Sequence, residues 1–471
     1  MPSALTPVSN AADTPAASAA PAAPPAADWD RVREETLEHL RQLIRVVTVN
    51  PPGDEIGAAR YLERTLAAAG VETHLFEPAP GRAAFVARIR GSGAKAPLLL
   101  MAHMDVVGVE PENWSVDPFA GEIRDGYLYG RGAIDDKGML AANLETMLLL
   151  KRLVADRGLL LSRDVVMVAN GDEEGSGELG MGWLLANHAE LVRGEVALNE
   201  GGRTRVVRGV PLYAAVQNSE KVPHVVTMTA HGPGGHASVP LAGNAVVRLG
   251  RALAAIGAHR EPLHLTPTTR EFFGELSRVW PDRAERQAMA DVASRDAGRA
   301  RRGARVLERT PVFDAVLRNG VSATIVGGGI RSNVIPTHAT ATLNVRTLPG
   351  QSVDGVVARL ARAVGDPLVT FEVTERGEDA PPSDFRSPAF AAIAASIREL
   401  TPSMAVVPYL STGATDSARL RQIGMQAFGI LPFPMTQEDE DRMHGNDERI
   451  PLESLHWGTR AIYGAVYRMA L

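Results

Sequence analysis

The chain has 471 residues, of which 45% are apolar and 22% charged, with a formal net charge of −6 and no cysteine. These proportions are ordinary for a globular protein, and the length allows about two to three domains. The missing thiol excludes disulfides, cysteine-rich zinc sites, iron–sulfur clusters and a cysteine nucleophile, so any metal must rest on histidine nitrogen and carboxylate or carbonyl oxygen; the mild negative charge argues against nucleic acid or an anionic membrane as partner.

Residues 1–28 hold 11 alanines and 6 prolines and no Lys or Arg. A secretory signal needs a basic start and a continuous apolar core. This segment has neither and reads as a disordered Ala/Pro tail. No apolar run reaches the roughly 18–20 residues that span a bilayer, so a cytoplasmic protein is expected.

Helical spacing of Val32, Leu37, Leu40, Leu43 and Ile44 predicts a helix over 30–48, stopped by Asn50-Pro51-Pro52-Gly53. A second helix spans 58–69 and ends at Gly70. Strand-like runs follow at 74–76, 85–89 and 98–102, then a long helix over 139–153 and short apolar strands at 165–169 and 195–198. Strands apolar on both faces, alternating with helices, predict an α/β fold: a mixed, mostly parallel sheet flanked by helices.

Beyond about residue 216 the order becomes strand (225–230), helix (245–255), strand (322–326), strand (339–345) and helix (353–364). This suggests an inserted ferredoxin-like α+β domain. The stretch from Arg295 to Arg309 reads as a solvated helix face, and Gly327-Gly328-Gly329 as a turn. From about Pro381 the first pattern resumes, with helices at 389–400 and 452–471. The expected division is a tail (1–28), a catalytic domain in two parts (29–216 and 379–471) and an inserted lid (217–378).

The chemistry gathers where strands end. His103 and Asp105 follow the strand at 98–102, two residues apart and so on one face of an extended chain. Ligand sites of parallel sheets lie at such carboxyl ends. Asp172-Glu173-Glu174-Gly175 and Asn199-Glu200-Gly201 follow the next two strands, Gly130-Arg131-Gly132 leads to Asp135-Asp136-Lys137-Gly138 before the long helix, and His444 lies in a polar loop near the end. Singly, each motif has a plain explanation: a hydrogen-bonded pair, solvated acids, a helix N-cap. Together, adjacent acids among glycines at apolar strand ends repel one another unless a cation lies between them.

These motifs, in this order, resemble the five metal-site motifs of the M20 dinuclear zinc metallopeptidases, and the similarity runs from about residue 30 to the end. The resemblance implies two zinc ions per chain, with Co²⁺ or Mn²⁺ as possible substitutes. Asp135 would bridge them, His103 and Glu200 would bind one, and Glu174 and His444 the other. Asp105 would accept a hydrogen bond from the His103 imidazole, and Glu173 would be the general base. Imidazole and carboxylate suit Zn²⁺ without thiolates, and a water between the ions would be acidified enough for Glu173 to take its proton.

The resemblance extends to the lid. His231-Gly232-Pro233-Gly234-Gly235-His236 is similar to a segment whose last histidine reaches the partner subunit's site and stabilises an oxyanion, which implies a homodimer; His236 as a helix cap is the alternative. Asn333 and Arg346 resemble lid residues that contact a substrate carboxylate, though Arg346 serves equally as a structural ion pair. Gly413 and Thr415 resemble a loop beside that carboxylate, where a helix N-terminus would also suit. Glu rather than Asp at position 200, and the long stretch 262–320 inside the lid, are similar to the carboxypeptidase and aminoacylase branch. The expected activity is hydrolysis of a peptide or amide bond next to a free carboxylate, on a small peptide or an N-acyl amino acid. The competing readings are a dipeptidase or aminopeptidase of the same family, a non-catalytic binding protein on this fold, and a serine amidase; Ser92-x-x-Lys95 lacks the partners a serine enzyme needs.

Overall fold

Four parallel strands set the frame. In the computed structural model, which describes residues 23–471, Val165–Asn170, Leu98–His103, Val196–Asn199 and Gln426–Gly429 lie side by side in that order. All four are nearly wholly buried, which is why they read as apolar runs rather than as alternation. Antiparallel strands Ala84–Ile89 and Glu72–Phe76 extend one edge. On the other side, Val210–Glu220 carries Arg203–Val207 antiparallel and Ala405–Ser411 parallel, and Pro434–Met435 completes a mixed ten-stranded sheet.

Helices cover both faces. Trp29–Ile44, Ile56–Ala68, Lys137–Arg157, Pro388–Leu400 and Leu452–Ala470 share one core with Leu98, Leu100, Val165, Met167 and Leu198. Residues 137–150 of the third are buried all round, so that helix shows no polar face there. Met181, Leu184, Val192 and Leu420 pack on the opposite face against Leu99, Met101, Val166 and Val168.

Residues 222–376 form a second sheet in the order Gly320–Gly328, His338–Thr347, Val222–His231, Val369–Arg376, all antiparallel. Helices Ala245–Ala258 and Val353–Val364 cover one face, around Val226, Met228, Leu249, Leu343, Val345 and Leu360. This is the ferredoxin-like topology expected. The other face is open, and the edge strand Gly320–Gly328 leaves Ile325 65% and Val326 63% exposed. Gly327 and Gly328 belong to this strand rather than to a turn. A side chain on Gly328 would lie 2.9 Å from Ala339 Cβ, so only glycine permits the close strand approach.

The stretch 262–320 departs from the expectation. Its helices Pro267–Val279, Arg283–Ala293, Ala297–Leu307 and Pro311–Ala315 interrupt the lid in sequence but pack on the large sheet, where Phe272, Phe273 and Leu276 meet Tyr213, Val407 and Tyr409. The lid's helices already cover one face of its sheet, and aromatic contacts such as Phe272–Tyr409 (ring centroids 5.6 Å apart) are available on the larger one. Their outer side carries Arg295, Arg299, Arg301, Arg302, Arg305 and Arg309, all exposed as expected. The first 22 residues of the tail lie outside the described residues. Among the described residues no helix is long and apolar enough to cross a membrane.

Candidate metal centre

The parallel strands end together, and their last residues are His103, Asn170 and Asn199. Glu173, Glu174 and Glu200 lie within the next few residues, so three chain segments deliver ligand-type side chains to one edge of the sheet. Asp135 precedes the long buried helix, and His444 lies four residues beyond the helical turn Gln437–Glu440.

The Asp135 carboxylate stands between two imidazoles. His103 Nε2 is 2.8 Å from Asp135 Oδ1, and His444 Nε2 is 3.0 Å from Asp135 Oδ2 and 3.1 Å from Glu174 Oε1. His103 Nε2 is also 4.0 Å from Glu200 Oε1. Ligand atoms of His103, Asp135 and Glu174 form one group within 4.8 Å of one another, and those of His103, Glu173 and Glu200 form a second. All five expected ligands and the expected base therefore converge.

The electrostatics ask for cations. Burial, and then the charge of Glu200, pushes the Glu173 carboxyl well above its usual range; burial and Asp135 do the same to Glu200. Hydrogen bonds to Asp135 and Glu174 raise His444 to about 10. Burial opposes a charge on His103, but Asp105 and Asp135 outweigh it and raise its pKa. Without a cation the cluster can offset its charge only by taking up protons, on the imidazoles and on Glu173 and Glu200. Two nitrogen donors and several carboxylate oxygens match the preferences of Zn²⁺, with Co²⁺ or Mn²⁺ compatible, so the donor set fits the implied ions.

A buried scaffold holds these side chains. His103 Nδ1 lies 2.9 Å from the main-chain oxygen of Asp105 and 3.5 Å from its carboxylate, so the nearer acceptor is the backbone rather than the expected carboxylate. That bond leaves Nε2 free as a ligand. The Asp105 carboxylate instead accepts from Asn50 Nδ2 at 2.8 Å, Glu174 N at 3.1 Å and Glu173 N at 3.3 Å, and so fixes the backbone that carries Glu173 and Glu174. Glu448, fully buried, accepts from Arg131 Nη1 and from the amides of Gly132, Ile134 and Asp135. Asp172 accepts from Ser176 Oγ and Leu179 N, with Arg82 and Glu55 behind it. His444 and Asp172 adopt φ of 60° and 67°, a region that costs a non-glycine residue about 1–3 kcal/mol and that surrounding contacts must hold.

The remaining expected residues lie elsewhere. His236 is exposed in a two-residue pairing with Val334, hydrogen-bonds Ser238 Oγ at 2.7 Å, and caps no helix. Asn333 is exposed beside it, its carbonyl accepting from Ala237 N at 3.0 Å. Arg346, half-buried in the lid sheet, donates to Asn344 Oδ1 at 3.0 Å and has no carboxylate partner among the described ion pairs. Thr415 belongs to a cleft of about 500 Å³ also lined by Glu173, Glu220, Lys221, Ala414 and Asp416; Gly413, next in the loop, is exposed. Thr415 Oγ1 also accepts at 3.2 Å from the amide of Ser417, the first residue of the short helix that follows.

Sequence reasoning missed Asn50, Arg82 and Glu448 as parts of the site, and gave Arg131 a place in a motif but no partner. Asn50 was read only as a helix stop, although an amide among prolines beside the first strands is unusual enough to question. Glu448, four residues after His444, gave no local signal.

The pattern of Peptidase family M20/M25/M40 matches residues 99–468. The chain is 28% identical over 445 residues to the N-fatty-acyl-amino acid synthase/hydrolase PM20D1 of Xenopus tropicalis, covering 90% of this chain and 84% of that protein. It is 27% identical over 419 residues to aminoacylase-1 of Mus musculus, covering 87% and 89%. The fold is shared with the M20 family metallo-carboxypeptidase Sso-CP2 of Sulfolobus solfataricus at a TM-score of 0.67 and 19% identity, over 92% of this chain and 99% of that one. The metal-site motifs, the sheet that gathers them and these matches agree: the chain is an enzyme of the M20 peptidase family.

Proposed function

We propose that the protein hydrolyses the amide bond of N-acyl amino acids, and of short peptides with a free terminal carboxylate, with two zinc ions held by His103 and Glu200 on one side, Glu174 and His444 on the other, and Asp135 between. When bound, such ions polarise an amide carbonyl and acidify water. Glu173 takes the proton from water and delivers it to the leaving nitrogen; burial, and then the charge of Glu200, raises its affinity for that proton. Asp105 holds the Glu173 amide and so the base's position.

The observation that carries the substrate reading is Arg346. A half-buried guanidinium with no ion-pair partner among the described residues, its pKa lowered by burial, suits a ligand carboxylate. The relatives support it: one is named for N-fatty-acyl-amino acids and another is an aminoacylase.

A homodimer through the lid belongs to the same reading. Ile325 and Val326 on the edge strand are exposed, as are Val246 and Val247, and a side chain at Gly328 of the same strand would be 3.5 Å from Val246. An unpaired apolar strand edge invites pairing with a second copy. His236, with no bond to this chain's metal-site residues, would then act on the partner's site.

The test is a hydrolysis screen of N-acyl amino acids, their C-terminal amides and dipeptides, with and without chelator. Free-carboxylate N-acyl substrates should be fastest and chelation should stop turnover. Activity indifferent to the chelator, or equal rates on the amides, would sink the reading.

A further inference from the structure

We infer that Glu220 is a positioning residue: backed by Arg421, it occupies both donors of Thr415 and so leaves the Ala414 N–H as the donor that this loop offers to the substrate's carboxylate. The inference rests on the function proposed above and assigns a division of labour within it.

Glu220 ends strand Val210–Glu220, two residues before the lid begins at Val222, and is 6% exposed. Its Oε1 accepts from Thr415 N at 3.2 Å. Its Oε2 accepts from Thr415 Oγ1 at 3.0 Å and from Gln217 Nε2 at 2.6 Å, and lies 3.0 Å from Arg421 Nη2. Thr415 has two donors, its amide and its hydroxyl, and both are spent. It cannot donate to a ligand without releasing Glu220.

The neighbouring Ala414 is exposed, lines the cleft with Glu173, and its amide has no partner among the described residues. A carboxylate beside an anion site would repel the ligand if its own charge were uncompensated. Arg421, 1% exposed and with Glu220 as its ion partner, supplies that compensation from inside the protein. Glu220 lies two residues before the lid's entry strand, so the loop it holds sits beside the joint.

The test uses full-length, metal-loaded protein, with N-acetylmethionine and its C-terminal amide as probes and hydrogen exchange over residues 411–417 as a second readout. Glu220→Gln and Thr415→Val should raise KM for N-acetylmethionine about tenfold and change kcat less than about twofold. Both should speed exchange in the loop, while Thr415→Ser restores wild-type values and metal content stays constant. Unchanged exchange, or a fall in kcat at constant KM, would overturn the assignment. If wild-type protein cleaves the amide as fast as the free acid, the substrate reading fails instead, and the exchange result still decides whether Glu220 holds the loop.

Discussion

Arg131 Nη1 lies 2.7 Å from Glu448 Oε2, and both side chains are buried from solvent. The pair joins the two loops that complete the metal centre. Arg131 Nη2 donates to Gly445 O at 2.9 Å, beside His444, while Glu448 Oε1 accepts from the Asp135 amide at 3.2 Å. Residues more than 300 positions apart in sequence are thereby set against each other before any ion arrives.

Removing one member should therefore disturb both stability and metal binding. Glu448→Ala strands a buried guanidinium and three backbone amides, a loss of about 3–5 kcal/mol for breaking a buried pair. Metal affinity should fall about 10–100-fold, as for other groups that orient ligands. Denaturant unfolding and competition with a chromogenic chelator measure the two effects; wild-type values in both would remove Glu448 from the scaffold.

Glu173→Ala separates binding from proton transfer. The variant should retain the metal content of the wild type and lose about 10²–10⁴ in kcat. Elemental analysis beside steady-state kinetics distinguishes this from a ligand role, in which metal would be lost as well.

The metal-free protein should show a pH dependence traceable to His444. Its pKa is raised to about 10 by Asp135 and Glu174, above the unfolded value near 6.5. The stabilising contribution is thus complete below about pH 6.5 and lost as pH rises through about 10. Melting temperatures of metal-free wild type minus those of metal-free His444→Gln should fall across that window. Loading with zinc at pH 7 should release protons, detectable by calorimetry in buffers of different ionisation enthalpy; no buffer dependence would contradict a protonated His444.

Dimerisation and the trans role of His236 can be tested together. Ile325→Asp with Val326→Asp should give a monomer by sedimentation. Glu173→Ala and His236→Ala homodimers should each be nearly inactive, but mixed dimers should recover activity at the one site that has both groups. No recovery on subunit exchange would place His236 outside the partner's site.

The convergence of this cluster was largely legible because its members announce themselves locally. His103, Glu174 and Glu200 follow apolar strands, and Asp135 precedes a helix whose start is marked by Gly138. Pairing partners are what a linear reading lacks. Strand Val210–Glu220, which supplies Gln217 and Glu220, was not anticipated, because its polar end is buried by tertiary contacts rather than by its own pattern. Asn50 gains meaning only where Asp105 meets it, and Glu448 only where Arg131 does. The helices of 267–315 were likewise placed by neighbours: their amphipathic faces suit any apolar sheet, and only the fold shows which one they cover.

That placement changes how the lid is moored. The chain passes between the two bodies near residues 221, 260, 318 and 378, because the helices packed on the large sheet begin and end in lid connections. A body joined at two neighbouring points swings about the line between them. Two further tethers tie this lid down, secured by Arg318 to the Glu261 carbonyl at 3.1 Å and by Arg359 to the Glu261 carboxylate. Any swing of the lid must then bend all four crossings together.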